Sequence, residues 1–93
     1  MGARFKDITI PLNLTFKGQP YDFPEGFIRE HGREADHIIL NRLNNEAEDG
    51  WEPEGSAEIR ILFHLGKVEY RETTTLFGKK YVVRNVTIRL RRA

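Results

Sequence analysis

Nearly unbroken alternation of apolar and polar residues over positions 5–17 is the feature that most constrains how this chain can fold. A two-residue period of that length is typical of a β-strand with one face buried and the other in water. Pro11 has no backbone N–H to donate to a neighbouring strand, so we expect this strand at a sheet edge or bulged at that point. The face predicted to be buried consists of Ile8, Ile10, Leu12, Leu14 and Phe16.

The one substantial helix is predicted over residues 34–49. Apolar residues recur there at every fourth position and form a stripe that can pack on a sheet: Ala35, Ile39, Leu43 and Ala47. Gly50 supplies the left-handed conformation that often ends a helix, and the Trp51 ring is expected to fold back onto the stripe. Residues 18–33 predict a long connection, in which Pro24 is placed to open a short helix ending at Gly32. Its large apolar side chains are expected to plug one end of the core: Tyr21, Phe23, Phe27 and Ile28.

From residue 57 onward the pattern predicts strands and turns. Residues 57–65 alternate like a strand, and Gly66-Lys67 suits a two-residue hairpin turn that sets His64 opposite Glu69. For the second hairpin we expect a three-residue loop, Phe77-Gly78-Lys79, or an equivalent bulge, because a two-residue Gly78-Lys79 turn would place apolar side chains opposite charged ones. The face of the last strand predicted to be buried consists of Val82, Val86, Ile88 and Leu90.

These elements predict an α+β fold: a four-stranded antiparallel sheet with one main helix packed on one face, in the order β-α-β-β-β. The chain has 93 residues, which suits a single domain spanning residues 1–93. No apolar segment approaches the roughly 20 residues that cross a bilayer, and the first residues lack the apolar run of a signal peptide. The sequence therefore favours a cytoplasmic protein without a membrane partner.

The end of the predicted helix carries a Leu-Asn pair followed by an acidic residue and Gly-Trp-Glu. In this chain those residues are Leu40, Asn41, Leu43, Gly50, Trp51 and Glu52. Residues 86–92 correspond to a terminal strand rich in basic residues. Residues 34–52 resemble a family of small bacterial and phage domains of unknown function. The resemblance implies a small α+β fold and no established activity.

Residues suited to catalysis or metal binding are few. The chain has no cysteine, which removes thiolate nucleophiles and thiolate metal ligands together. Glu34 and His37, three positions apart near His31, are interpreted as an exposed pair, since one long helix cannot complete a carboxylate-rich metal site. Ser56 is the only serine and lies outside any Gly-x-Ser-x-Gly motif. We therefore predict a protein that is not an enzyme and carries no cofactor or metal.

Charge is divided into two opposite blocks. Residues 44–58 contain six acids and no Lys or Arg, and residues 79–92 contain six bases and no acid. The acidic block consists of Glu46, Glu48, Asp49, Glu52, Glu54 and Glu58, and the basic block of Lys79, Lys80, Arg84, Arg89, Arg91 and Arg92. The two blocks could cancel within one molecule, could bind each other between copies, or the basic block with Arg60 and Arg71 could bind nucleic-acid phosphates.

Base recognition by the sheet is not expected. Sheets that bind single-stranded nucleic acid present aromatic rings on the open face, whereas here Phe16, Phe63 and Tyr70 are predicted to point into the core. The open face is predicted to carry hydroxyls and cations, together with Leu62 and His64. We therefore predict a non-enzymatic interaction domain that associates with itself, through a strand edge, the uncovered sheet face or the opposed charge blocks, or with another protein. The alternative is a nucleic-acid-associated regulator that uses the basic block.

Overall fold

A long central strand organises the sheet. The structure is a computed structural model that describes residues 2–93. Its elements are β1 (Arg4–Phe16), a 3₁₀ turn (Pro20–Asp22), α1 (Glu25–Ala47), β2 (Glu52–Pro53), α2 (Ile59–His64), β3 (Val68–Thr75) and β4 (Gly78–Arg92). Strand β4 pairs antiparallel with β1 along one edge and with β2 and β3 at opposite ends of its other edge. The predicted α+β class, with four antiparallel strands and one main helix, is confirmed.

The second strand is not where the sequence predicts it. Residues 57–65 hold the short helix α2, and β2 is instead the two-residue segment Glu52–Pro53. The apolar spacing in this short run fits both the two-residue period of a strand and the 3.6-residue period of a helix. The buried residues are Ile59 and Leu62, which are three apart, as in a helix. The Asp36 carboxylate accepts a hydrogen bond from the Ile59 N–H at 2.7 Å and so holds the start of α2. Leu62 is therefore in the core, and the predicted pairing of His64 with Glu69 is wrong.

Two glycines with positive φ end the two helices, Gly50 as predicted and Gly66 contrary to the prediction. At Gly50 (φ +84°) the Trp51 N–H donates to the Glu46 carbonyl at 3.1 Å, which confirms the predicted end of the main helix. Gly66 (φ +72°) ends α2 in the same way, with the Lys67 N–H donating to the Leu62 carbonyl at 2.9 Å. Gly66 therefore closes a helix and does not turn a hairpin.

The main helix begins nine residues earlier than predicted, at Glu25, so most of the predicted connection 18–33 is helical. Pro24 occupies the N-cap position, but the helix continues through Gly26 and Gly32, both of which are buried. The predicted plug forms in part. The Phe23 ring stacks on Tyr81 at a centroid distance of 4.2 Å and also contacts Phe16, Phe27, Phe63 and Tyr70, whereas Tyr21 is exposed.

A bulge at Arg84 sets the register of the β3–β4 hairpin. The loop is the two residues Leu76-Phe77, with Thr75 opposite Gly78, and not the predicted Phe77-Gly78-Lys79, whereas the bulge predicted as the alternative is present. The register then shifts by one residue, so that Tyr70 faces Val83 while Glu69 faces Asn85. Because the shift moves side chains to the other face, Val83 is buried and Val82 lies outside, contrary to the prediction.

The core lies between α1 and the inner face of the sheet. It forms one cluster whose buried members are Ile8, Ile10, Leu12, Phe16, Phe27, Ala35, Ile39, Ile59, Leu62, Tyr81, Val83, Val86, Ile88 and Leu90. Trp51 and Phe63 pack against it half-buried. Tyr70 is 48% exposed, so the prediction that it points into the core is only partly right.

Candidate interaction surface

The six bases of the predicted basic block all lie on β4, but the structure divides them into two groups. Arg89, Arg91 and Arg92 lie at the end of β4 that pairs with β2. There the Arg89 guanidinium is 3.6 Å from the Glu54 carboxylate, and Arg92 donates to the Asp49 carbonyl at 3.2 Å. Arg91 lies opposite Glu52 across the strand pair. At this end the two charge blocks partly cancel within one molecule, which is one of the three alternatives predicted from the sequence.

Two further acids of the acidic block, Glu46 and Glu48, lie at the end of α1. The Glu46 carboxylate is 2.8 Å from the Lys6 ammonium and 3.3 Å from the Arg42 guanidinium. The hydrogen bond from Lys6 holds the pKa of Glu46 below its ordinary value, against a smaller opposing effect of burial, and Arg42 adds to the lowering. Glu48 is exposed at the end of α1, and Glu58 is exposed elsewhere, at the N-cap of α2. Part of the acidic block is therefore already occupied by cations of the same chain.

Lys79, Lys80 and Arg84 belong to the other group, on the hairpin. Lys79 pairs with the Glu72 carboxylate at 2.8 Å, which raises the pKa of Lys79 and lowers that of Glu72. The Tyr81 hydroxyl donates to the same carboxylate at 3.4 Å, and burial followed by the Glu72 charge raises the pKa of Tyr81. Lys79, Glu72 and Tyr81 lie on the inner side of the ribbon.

The outer side of the ribbon carries cations without acidic partners. Arg71, Lys80 and Arg84 line a shallow concavity of about 420 Å³ together with Thr73 and Val82. Cross-strand pairing places Arg71 opposite Val82 and Thr73 opposite Lys80, so these side chains share the open face of the sheet. Among residues 2–93, no carboxylate lies within 4.0 Å of any of these three cations. Arg60, which the sequence grouped with them, is instead on α2 and pairs with Glu25 at 3.0 Å.

The hairpin ends in an exposed apolar tip. Leu76 and Phe77 are 98% and 100% exposed. The Thr75 hydroxyl bridges the turn, donating to the Gly78 carbonyl at 2.8 Å and accepting from the Phe77 N–H at 3.3 Å. Because β1 ends opposite Tyr81, the hairpin extends about 10 Å past it, at about 3.3 Å per residue. The tip was not expected from the sequence, because Phe77 was predicted within a loop and no sequence pattern indicates which way a loop points.

The outer edge of β3 is free. Within residues 2–93, β3 pairs with β4 alone, and six of its eight residues are exposed, the other two being partly exposed. The edge contains no proline, and the extra residue of the nearby bulge belongs to β4. The opposite edge strand, β1, differs in both respects, because it contains Pro11 and is bulged at Asn13 (φ +52°). Proline and bulges are the usual features that prevent a strand edge from pairing with another chain.

The histidines and the serine lie apart from one another. The His31 ring donates from Nε2 to the Thr15 carbonyl at 3.0 Å, and His37 and His64 are exposed on different helices. The Ser56 hydroxyl accepts from the Glu58 N–H at 3.4 Å in the segment before α2. The part of the chain that the structure describes contains no group of three potential metal ligands.

Comparison with family models, with curated proteins and with solved structures finds no match to this chain. The resemblance of residues 34–52 to small bacterial and phage domains therefore stays a prediction. Within residues 2–93, no helix combines the length and the apolar character needed to span a membrane.

Proposed function

We propose that this protein is a non-enzymatic interaction domain that assembles with a second copy of itself through the free edge of β3. One observation carries the proposal: an eight-residue edge strand that is largely exposed, contains no proline and, within residues 2–93, pairs with β4 alone. A row of unpaired N–H and C=O groups is a template for another strand, and a second copy offers the same row.

The other routes to self-association have less support. Charge blocks that bind between copies have only part of their charges available, because Arg89, Lys79 and Glu46 already have partners within the chain. The β1 edge is interrupted by Pro11 and by the bulge that follows it. Pairing over one short strand buries little surface, so we expect a weak dimer whose population rises with concentration.

Light scattering after size exclusion, over a wide range of protein concentration, measures the mass of the assembly. Amide hydrogen exchange by NMR locates the contact between the copies. We expect a shift from monomer to dimer, with the outward-pointing amides of β3 becoming protected as concentration rises. The β1 edge is the internal control, since its amides should not change. A variant with Leu76→Ser and Phe77→Ser should dimerise normally; if it is monomeric, the apolar tip and not the β3 edge is the contact. A monomer at every concentration would falsify the proposal.

A second candidate is binding of nucleic-acid phosphates at the outer concavity of the ribbon. It is favoured by Arg71, Lys80 and Arg84, which share one face and form no ion pair with any acid of residues 2–93. Phosphate binding releases counterions, so three contacts predict that log K falls with log salt with a slope of about −2 to −3. No aromatic ring lines this concavity, so phosphates rather than bases would be recognised.

Fluorescence anisotropy with single-stranded and duplex DNA at two salt concentrations tests this candidate. A variant with Lys80→Ala and Arg84→Ala should lose most of the affinity and of the salt slope. The matched control is Arg89→Ala with Arg92→Ala, which removes the same charge from the end of β4 that already faces acids. Equal losses in the two variants would mean that the net charge of the protein, and not this concavity, governs binding.

A further inference from the structure

We infer that the second copy pairs in one register, with Tyr70 on the two-fold axis and Glu69 of each copy facing Arg71 of the other. This inference rests on the proposed assembly through β3. It specifies which residues meet, and therefore makes that assembly testable residue by residue.

Symmetry limits the choices. When two copies of a strand pair antiparallel about a two-fold axis, one residue must face its own copy, and opposite side chains lie on the same face of the sheet. The residue on the axis therefore defines the whole register. Placing the axis near the middle of β3 leaves four registers, centred on Tyr70, Arg71, Glu72 or Thr73.

Charge separates these registers. An axis at Arg71 sets two guanidinium groups against each other, and an axis at Glu72 does the same with two carboxylates; like charges directly opposite destabilise a strand pair. An axis at Thr73 is neutral but places Arg71 opposite Thr75 and forms no ion pair. Only an axis at Tyr70 forms two ion pairs of opposite charge, Glu69 with Arg71 and the reverse, on either side of the axis.

The monomer leaves both of these charges available. The Glu69 carboxylate accepts a hydrogen bond from the Asn85 amide at 2.6 Å, and Arg71 lines the outer concavity. Neither forms an ion pair within 4.0 Å in residues 2–93. Both lie on the open face, since Glu69 faces Asn85 and Arg71 faces Val82 across the ladder.

Tyr70 supplies the apolar contact. Among the residues of β3 it is the large apolar side chain that remains substantially exposed, at 48%. Its ring already packs against Phe23, with centroids 4.8 Å apart, so its position is fixed before a second copy arrives. On the axis the two rings would face each other and cover the exposed half of each.

Single-cysteine variants read the register directly, because the native chain contains no cysteine. Cysteine is placed at Tyr70, Arg71, Glu72 or Thr73 in turn, and disulfide formation under mild oxidation is followed on non-reducing gels. Residues on the axis lie within the 4.4–6.8 Å Cα separation that a disulfide requires, whereas a position one residue away is displaced by about 7 Å along the strand and is out of reach. We expect Tyr70→Cys to cross-link and the other three to remain largely monomeric.

The outcomes separate the register from the assembly itself. Cross-linking at Arg71, Glu72 or Thr73 instead would overturn this register and leave pairing through β3 standing. A dimer by light scattering that cross-links at none of the four positions would overturn both. A monomer in both assays refutes the proposed assembly.

Charge reversal tests the same register with Tyr70 intact. Each substitution acts at two symmetric contacts, so Glu69→Arg and Arg71→Glu should each weaken dimerisation by on the order of tenfold. The double variant should restore most of the loss, because the pairs form again in reverse. Arg33→Glu, on the exposed face of α1, makes the same charge change as Arg71→Glu; it is the control for that variant and should leave dimerisation unchanged. If the double variant is weaker than either single variant, Glu69 and Arg71 do not face each other.

Discussion

Replacing Gly26 by alanine should destabilise the protein, although alanine is the better helix former. Gly26 is buried in the first turn of α1. A Cβ atom at this position would lie 2.6 Å from Cζ of Phe16 and would also meet the Asp22 carboxylate. Phe16 is 3% exposed and packed in the core, so its ring cannot move away without disturbing its neighbours.

The expected loss follows from two opposing effects. Glycine to alanine inside a helix gains about 1 kcal/mol in helix propensity. Forcing one extra carbon into a packed core costs about 1–3 kcal/mol. Displacing Asp22 would in addition disturb its ion pair with Arg29, at 2.6 Å. Because a stiff ring and a carboxylate both have to move, we expect a cost near the upper end and a net loss of about 1–2 kcal/mol.

Gly32→Ala is the matched control in the same helix. Its Cβ would lie 3.3 Å from Cγ2 of Ile28 and 3.9 Å from Cγ2 of Ile59, so only a few tenths of an ångström must be accommodated. We expect this variant to range from neutral to about 1 kcal/mol more stable. Urea unfolding followed by far-UV circular dichroism measures both. If Gly26→Ala gains as much as Gly32→Ala, then Phe16 does not pack against the first turn of α1, and the reasoning is refuted.

Three further predictions concern the core, the start of α2 and the pH dependence of stability. Phe23→Ala should lower the free energy of unfolding by about 3 kcal/mol. Phe23→Leu should lower it clearly less, because leucine keeps most of the apolar volume and loses only the stacking on Tyr81; equal losses in urea unfolding would contradict this. Asp36→Ala should cost about 1 kcal/mol, whereas Asp36→Asn, which keeps an acceptor oxygen for the Ile59 N–H, should be close to the native protein. The folded-state pKa of Glu46 is lowered, so its contribution to stability is present above pH 4.5 and is lost as the pH falls through the folded-state pKa; Lys6→Gln should reduce this dependence, and thermal unfolding across the acid range measures it.

Local pattern determined several elements of this protein. Alternation over residues 5–17 predicts β1 almost to the residue, because a strand with one buried face must repeat every two positions. Gly50 marks the end of α1, because the left-handed conformation there favours glycine. The amino-acid sequence alone also shows the division of charge into an acidic and a basic block, and it predicts the α+β class.

The first half of α1 and the whole of α2 depended on tertiary contacts. Gly26 and Gly32 look like helix breakers in the sequence, but at Gly26 the Phe16 ring lies too close for a side chain. Residues 57–65 fit a strand as well as a helix, and the Asp36 carboxylate on α1 stabilises the helical start. Neither neighbour is local in sequence, so no pattern within these segments could reveal it.

The charges left free were likewise decided by the tertiary structure. Six bases follow one another along β4, and the sequence gives no reason to separate them. Strand β2 lies beside one end of β4, where Glu54 comes within 3.6 Å of Arg89, while β3 lies beside the other end and brings Arg71. Electrostatic pairing requires proximity within a few ångströms, and only the folding of distant segments onto β4 determines which charges come that close.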